Sequence, residues 1–145
     1  MWYMNKPTIQ YVAAKALIKN EQGQVLVLKQ ADPTITGDMQ YHPPGGIVEL
    51  GETVRECVER EVQEEIGVPC TAQSLFDVGE WYAERAGTVM QFVGIFYVCN
   101  IISDNFTLQS AEASGFMWVD ATNIDALPIL EPSMGIIRKF LASAP

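Results

Sequence analysis

The chain has 145 residues, of which 48% are hydrophobic and 19% charged, with a formal net charge of −9. That length suits one domain with its own core, and the apolar content excludes a disordered chain. The acidic balance disfavours a nucleic-acid polymer or an anionic membrane as partner.

The N-terminus, MWYMNKPTIQ, lacks the basic start and long apolar stretch of a secretory signal. Trp2 and Tyr3 are expected as exposed aromatics, which leaves a homodimer open. Tyr11 to Ile18 reads as a strand. Asn20 to Gly23 is a turn, and Val25 to Lys29 follows as the hairpin partner of the first strand. Asp32 to Asp38 is loop. Tyr41-His42-Pro43-Pro44 is an extended entry, since each proline restricts the residue before it. A helix is expected over Thr53 to Ile66. Ser74 to Glu84 and Thr88 to Ile101 are strand-like and meet near Ala86-Gly87. Phe116 to Val119 is a last strand, Asp120 to Leu127 a short helix, and Ser133 to Ala142 an amphipathic terminal helix. Hairpin strands with packed helices suggest α+β layers. The apolar run from Val93 to Cys99 is too short to span a bilayer. Three cysteines, Cys57, Cys70 and Cys99, have no metal-type spacing, and a reducing cytoplasm is the expected location.

The helix carries the information about function. Between Gly46 and Val68 stand Glu49, Glu52, Glu56, Glu59, Glu61, Glu64 and Glu65, opposed by Arg55 and Arg60. Like charges at this density repel along a helix. Thr53 with Glu56 matches a capping box, and Gly67 followed by Pro69 marks the stop. At about 100° per residue, Val54, Cys57, Val58, Val62 and Ile66 form one apolar stripe. Glu61 and Glu65 fall inside that stripe and Glu64 borders it. Glu56, Glu59 and Gln63 point to solvent, as does Glu49. Two readings remain at this point: a solvated acidic helix, or carboxylates gathered around a hard divalent cation such as Mg2+ or Mn2+.

Gly46, five residues, Glu52, seven residues, then Arg60-Glu61-Val62-Gln63-Glu64-Glu65-Ile66-Gly67-Val68 resembles the Nudix box. Every defining position is filled. The resemblance implies one Nudix hydrolase domain over residues 1–145, with its box at 46–68. It implies a mixed β-sheet between helices, an α/β/α sandwich, and a loop–helix–loop in which Glu61, Glu64 and Glu65 bind metal. It further implies that Glu52 sits near the metal shell, that Arg60 braces the glutamates, and that Gly46 lets the backbone approach. Members hydrolyse a nucleoside diphosphate linked to another group, and the small-molecule substrate is expected to be of that kind. The general base lies in the box or on a loop before the last strand, where the candidate is Glu112, six residues before Trp118-Val119.

Lys29, at a strand end, is a candidate for a phosphate contact, and Tyr82, beside Trp81, for stacking on a base. His42 reads as a structural or loop residue, and with Pro43 it stands where many members carry an apolar residue. No SQPWPFPxS motif follows the box, which disfavours the NADH-pyrophosphatase subgroup. The competing readings are a non-catalytic nucleotide-binding regulator on the same fold and isomerisation of an isoprenoid diphosphate.

Overall fold

The computed structural model describes residues 1–31, 40–109 and 111–143. The strands are β1 (Thr8–Ile18), β2 (Val25–Gln30), β3 (Tyr41–His42), β4 (Gly45–Ile47), β5 (Cys70–Arg85), β6 (Thr88–Ile101) and β7 (Ala113–Val119). Among the described residues the helices are α1 (Val54–Ile66) and α2 (Ser133–Ala142), with a 3-10 turn at Ile124–Ala126. The expected short helix over Asp120 to Leu127 contracts to that single turn, and Asn123 and Thr122 engage Asp120 at its start.

Two sheets form, in the orders β4-β1-β6-β5 and β3-β2-β7. β1 runs parallel to β6 from Thr8 opposite Val89 to Ile18 opposite Cys99. β5 and β6 form the expected hairpin, closed by Ala86 and Gly87, both at positive φ (52° and 80°). That is the sense of turn that matches strand twist.

The expected hairpin of the first two strands is corrected. β1 and β2 meet only at a Lys19–Val25 bridge and then enter different sheets. Both edges of β1 are already taken, by β4 and β6. The loop expected at Asp32 to Asp38 lies outside the described residues.

Alternation along β1 and β2 divides the core between the two helices, because successive strand residues face opposite ways. Ala14, Ala16, Ile18, Leu26 and Leu28 pack with Cys57, Val58, Val62 and Ile66 of α1. Leu17, Val25 and Val27 pack with Ile136, Ile137 and Phe140 of α2. The sheets are thus held between helices, as expected. Trp81 is half-buried: it stacks on Phe92 at 5.2 Å and lies across Gly94, where a Cβ would come within 2.5 Å of its ring.

Candidate active site

α1 starts where the sequence predicts. The Thr53 hydroxyl accepts from the Glu56 amide, and the Glu56 carboxylate accepts from the Thr53 amide. Both satisfy amides that the first helical turn leaves unpaired. Gly67 closes the helix at φ 74°, the left-handed conformation that suits glycine. Beyond it, Thr107 donates its amide to the Ile66 carbonyl at 2.9 Å and Gln109 to the Glu65 carbonyl at 3.2 Å. The segment that leads to Glu112 is therefore pinned to the C-terminal end of α1.

Arg60 is the organising cation. Its Nε donates to Glu52 Oε2 at 2.9 Å and its Nη2 to Glu52 Oε1 at 2.7 Å, a two-point fork. Its Nη1 reaches Glu61 at 3.0 Å and Glu64 at 3.2 Å. Glu52 also accepts from the Glu49 amide. The Arg60 hydrogen bonds hold the Glu52 carboxyl down to about 2, with the Glu49 amide adding to the effect.

Glu65 is 3% exposed, the one buried charged side chain among the described residues. Its Oε1 accepts from the Gly45 amide at 2.7 Å. Burial pushes its carboxyl up to about 8, the charges of Glu61 and Glu112 push the same way, and Lys15 and the Gly45 amide oppose. Glu61 is also raised, by burial first and then by Glu64 and Glu112, against the pull of Arg60. Glu112 is exposed, yet its charge acts on both carboxyls, which puts it on the same side as Glu61 and Glu65.

Gly46 has a steric reason to be glycine. A Cβ there would stand 2.3 Å from Glu61 Cδ. Cys57 lies behind this loop, its thiol 3.7 Å from the Gly46 carbonyl, and burial pushes it up to about 12. It is a core thiol.

Glu61, Glu64, Glu65 and Glu112 thus face one region, but as they stand they do not form a ligand shell. Among the described residues, no three His, Cys, Asp or Glu side chains are within coordinating range. Glu61 and Glu64 are turned onto Arg60, and Glu65 onto Gly45. The donor set still fits a hard divalent cation. It offers oxygen only, and two of its carboxylates are disfavoured as anions without a countercharge.

Two other sequence candidates make no described contact with the carboxylates. Lys29 pairs with Tyr41 and Gly115. Tyr82 is 47% exposed and accepts from Gln91 Nε2. It sits in the row of Gln10, five residues along β1 from Lys15, or roughly 17 Å at the rise of a strand. There it lines a cavity of about 330 Å³ with Tyr3, Gln10 and Gln91. Trp2 is exposed, as expected, and meets Tyr82 edge-on.

Glu59, expected in solvent, accepts from the Ala72 amide at 3.0 Å, and Arg55 donates to the Ala72 carbonyl. Together they fasten α1 to β5. Sequence reading also missed Lys15, on β1 opposite Gly45. A lysine inside the apolar run YVAAKALI is the signal that was available. His42, read as a structural or loop residue, lies in β3 and is half-buried. Its Nδ1 pairs with the Pro43 carbonyl at 2.9 Å.

A family model described as NUDIX domain matches residues 10–140. The chain belongs to the Nudix family. An 8-oxo-dGTP diphosphatase from Haemophilus influenzae is 30% identical over 140 residues, covering 95% of this chain and 95% of that protein. One from Escherichia coli is 35% identical over 69 residues, covering 47% of this chain and 52% of that protein. The chain thus spans about half the length of the E. coli protein, and it covers 21% of a longer Nudix relative from Caenorhabditis elegans. The crystal structure of a MutT protein from Methanosarcina mazei superposes with a TM-score of 0.74 at 25% identity, covering 94% of this chain and 95% of that one. Nudix folds are α+β, as the two sheets and flanking helices here are. No helix among the described residues is long and apolar enough to cross a membrane.

Proposed function

We propose that this Nudix protein is a divalent-metal-dependent pyrophosphohydrolase. Its substrate would be a nucleoside diphosphate linked to another moiety, whether a nucleotide, a sugar or a second nucleoside. One observation carries the reading. The Arg60 fork holds Glu52, Glu61 and Glu64 on one side of α1 while Glu65 is buried against the Gly45 amide. A structural acidic helix has no need to bury a carboxylate that makes no ion pair among the described residues.

Glu61, Glu64 and Glu65 are the residues that would hold Mg2+ or Mn2+. When bound, the metal supplies Lewis-acid polarisation of the pyrophosphate and a lowered pKa for water. Arg60 keeps Glu61 and Glu64 aligned, and Glu52 fixes Arg60 from the far side. Gly46 leaves room for the Glu61 carboxylate. Glu112 takes the proton of the attacking water, a role suited to a carboxylate that stays hydrated beside the site. Among the described residues, no contact joins Lys29 or Tyr82 to the carboxylates.

The relatives named as 8-oxo-dGTP diphosphatases make nucleoside triphosphates, oxidised and ordinary, the first compounds to try. The test is a panel of triphosphates, dinucleotides and nucleotide sugars with Mg2+ and Mn2+, and identification of each phosphorus-containing product. Cleavage between phosphorus atoms that needs the metal is expected. Folded protein that turns over nothing with either metal refutes the reading. Tight nucleotide binding without metal dependence would instead favour a ligand-binding regulator.

A further inference from the structure

We propose that Lys15 is a substrate-binding residue of this site, its ammonium donating to an anionic phosphate oxygen of the bound diphosphate. The inference rests on the pyrophosphohydrolase reading and adds a residue outside the box.

Lys15 sits between the buried Ala14 and Ala16 and pairs with Gly45. Its stem runs close beneath that glycine, where a Cβ would stand 2.9 Å from Lys15 Cδ. Gly45 is also the residue whose amide holds Glu65. Lys15 therefore lies against the inner wall of the carboxylate cluster; burial lowers its pKa, and the charges of Glu65 and Glu61 oppose that and favour the ammonium.

The ammonium is nonetheless uncommitted. Glu65 accepts from Gly45 and Glu61 from Arg60, and among the described residues Lys15 makes neither a hydrogen bond nor an ion pair. A lysine serving only the core would be satisfied, as buried polar groups generally are. Lys19, four residues along the same chain, shows the satisfied case. It donates to the Phe140 carbonyl at 2.9 Å and lies over the Phe140 ring at 4.3 Å. The neighbouring wall is short of a partner too. With Nδ1 engaged at Pro43, the Nε2 atom of His42 is buried with no partner among the described residues.

Charge then selects the ligand. The cluster presents Glu61, Glu64, Glu65 and Glu112, and Arg60 is already spent on Glu52, Glu61 and Glu64. An entering diphosphate brings more negative charge to the same place. Among the described residues, Lys15 is a cation beside the cluster with N–H donors still to give, and an ammonium binds phosphate as a point charge.

The test uses Lys15→Met, which keeps the length and removes the charge, and Lys15→Arg. Steady-state kinetics on a hydrolysed nucleotide at saturating Mg2+ are paired with titration calorimetry. The calorimetric probe is a nucleoside triphosphate analogue with a methylene bridge between the α and β phosphorus atoms, in Ca2+. Lys15→Met is expected to raise KM and the analogue Kd about ten- to a hundredfold, the worth of one charge-assisted hydrogen bond. kcat should stay within about threefold, Tm should not fall, and Lys15→Arg should recover part of the affinity. KM and Kd within about twofold of wild type overturn the proposal. So does a rise in KM that disappears as Mg2+ is raised further, which would make Lys15 a countercharge to Glu65. Wild type that turns over nothing but binds the analogue fails the hydrolase reading alone, and the Kd comparison still decides Lys15. Wild type that does not bind the analogue sinks both.

Discussion

Replacing Glu65 with glutamine should stabilise the metal-free protein at alkaline pH while abolishing its activity. The carboxyl is held at about 8 in the fold, against an ordinary value of 4.5. Burial is the main cause, so the folded state retains a proton that the unfolded chain has released. Where the folded state binds more protons, stability falls as pH rises. The penalty is absent below about pH 4.5, grows by 1.36 kcal/mol per unit, and is complete near pH 8. Over that span it amounts to about 5 kcal/mol, a large part of the stability of a small domain. The glutamine amide keeps an oxygen to accept from Gly45 and carries no charge to titrate. Thermal melts in EDTA at pH 5, 6.5 and 8.5 should show wild type losing on the order of 10 °C or more that the variant does not lose. Added Mg2+ should restore wild type at pH 8.5 and leave the variant unmoved, since only the native site binds it. Turnover of the variant should drop by about a thousandfold or more. Parallel pH profiles for the two proteins in EDTA would refute the electrostatic argument, and near-normal turnover would refute the assignment of Glu65 to the metal.

Arg60→Lys should cut kcat/KM about a hundredfold with the helix retained by circular dichroism, because an ammonium cannot span Glu52, Glu61 and Glu64 as the fork does. Gly46→Ala should raise the Mg2+ concentration for half-maximal activity more than tenfold in a metal titration, since the new methyl occupies the space of the Glu61 carboxylate. Thr53→Ala should cost about 1 kcal/mol in denaturant melts through loss of the cap, with KM unchanged.

Much of this fold could be read locally because local chemistry decided it. The box helix begins at its capping box and ends at a glycine whose φ of 74° needs no side chain. The β5–β6 hairpin follows from Ala86-Gly87. Strand partners were a different matter. The Asn20–Gly23 turn suggested a hairpin, yet the edge of β1 goes to β6, about eighty residues on and parallel. No turn residue encodes that choice. It follows from which faces must be buried together once α1 and α2 lie on opposite sides of the sheets.

The site divides along the same line. Helical periodicity separated the buried Glu65 from Glu56 and Gln63, because a 3.6-residue repeat fixes direction within one element. It erred at Glu59, whose partner is the Ala72 amide of another strand. It was silent on Lys15 for the same reason. In β1 that lysine breaks the apolar run, and alternation assigns it to one face without saying what stands there. Its meaning arises only where β4 lies antiparallel on β1 and sets Gly45, and with it Glu65, beside its stem. Motif reading therefore recovers the carboxylates, which share one helix. It misses the cation that faces them from a strand, since no interval in the chain relates residue 15 to residue 65.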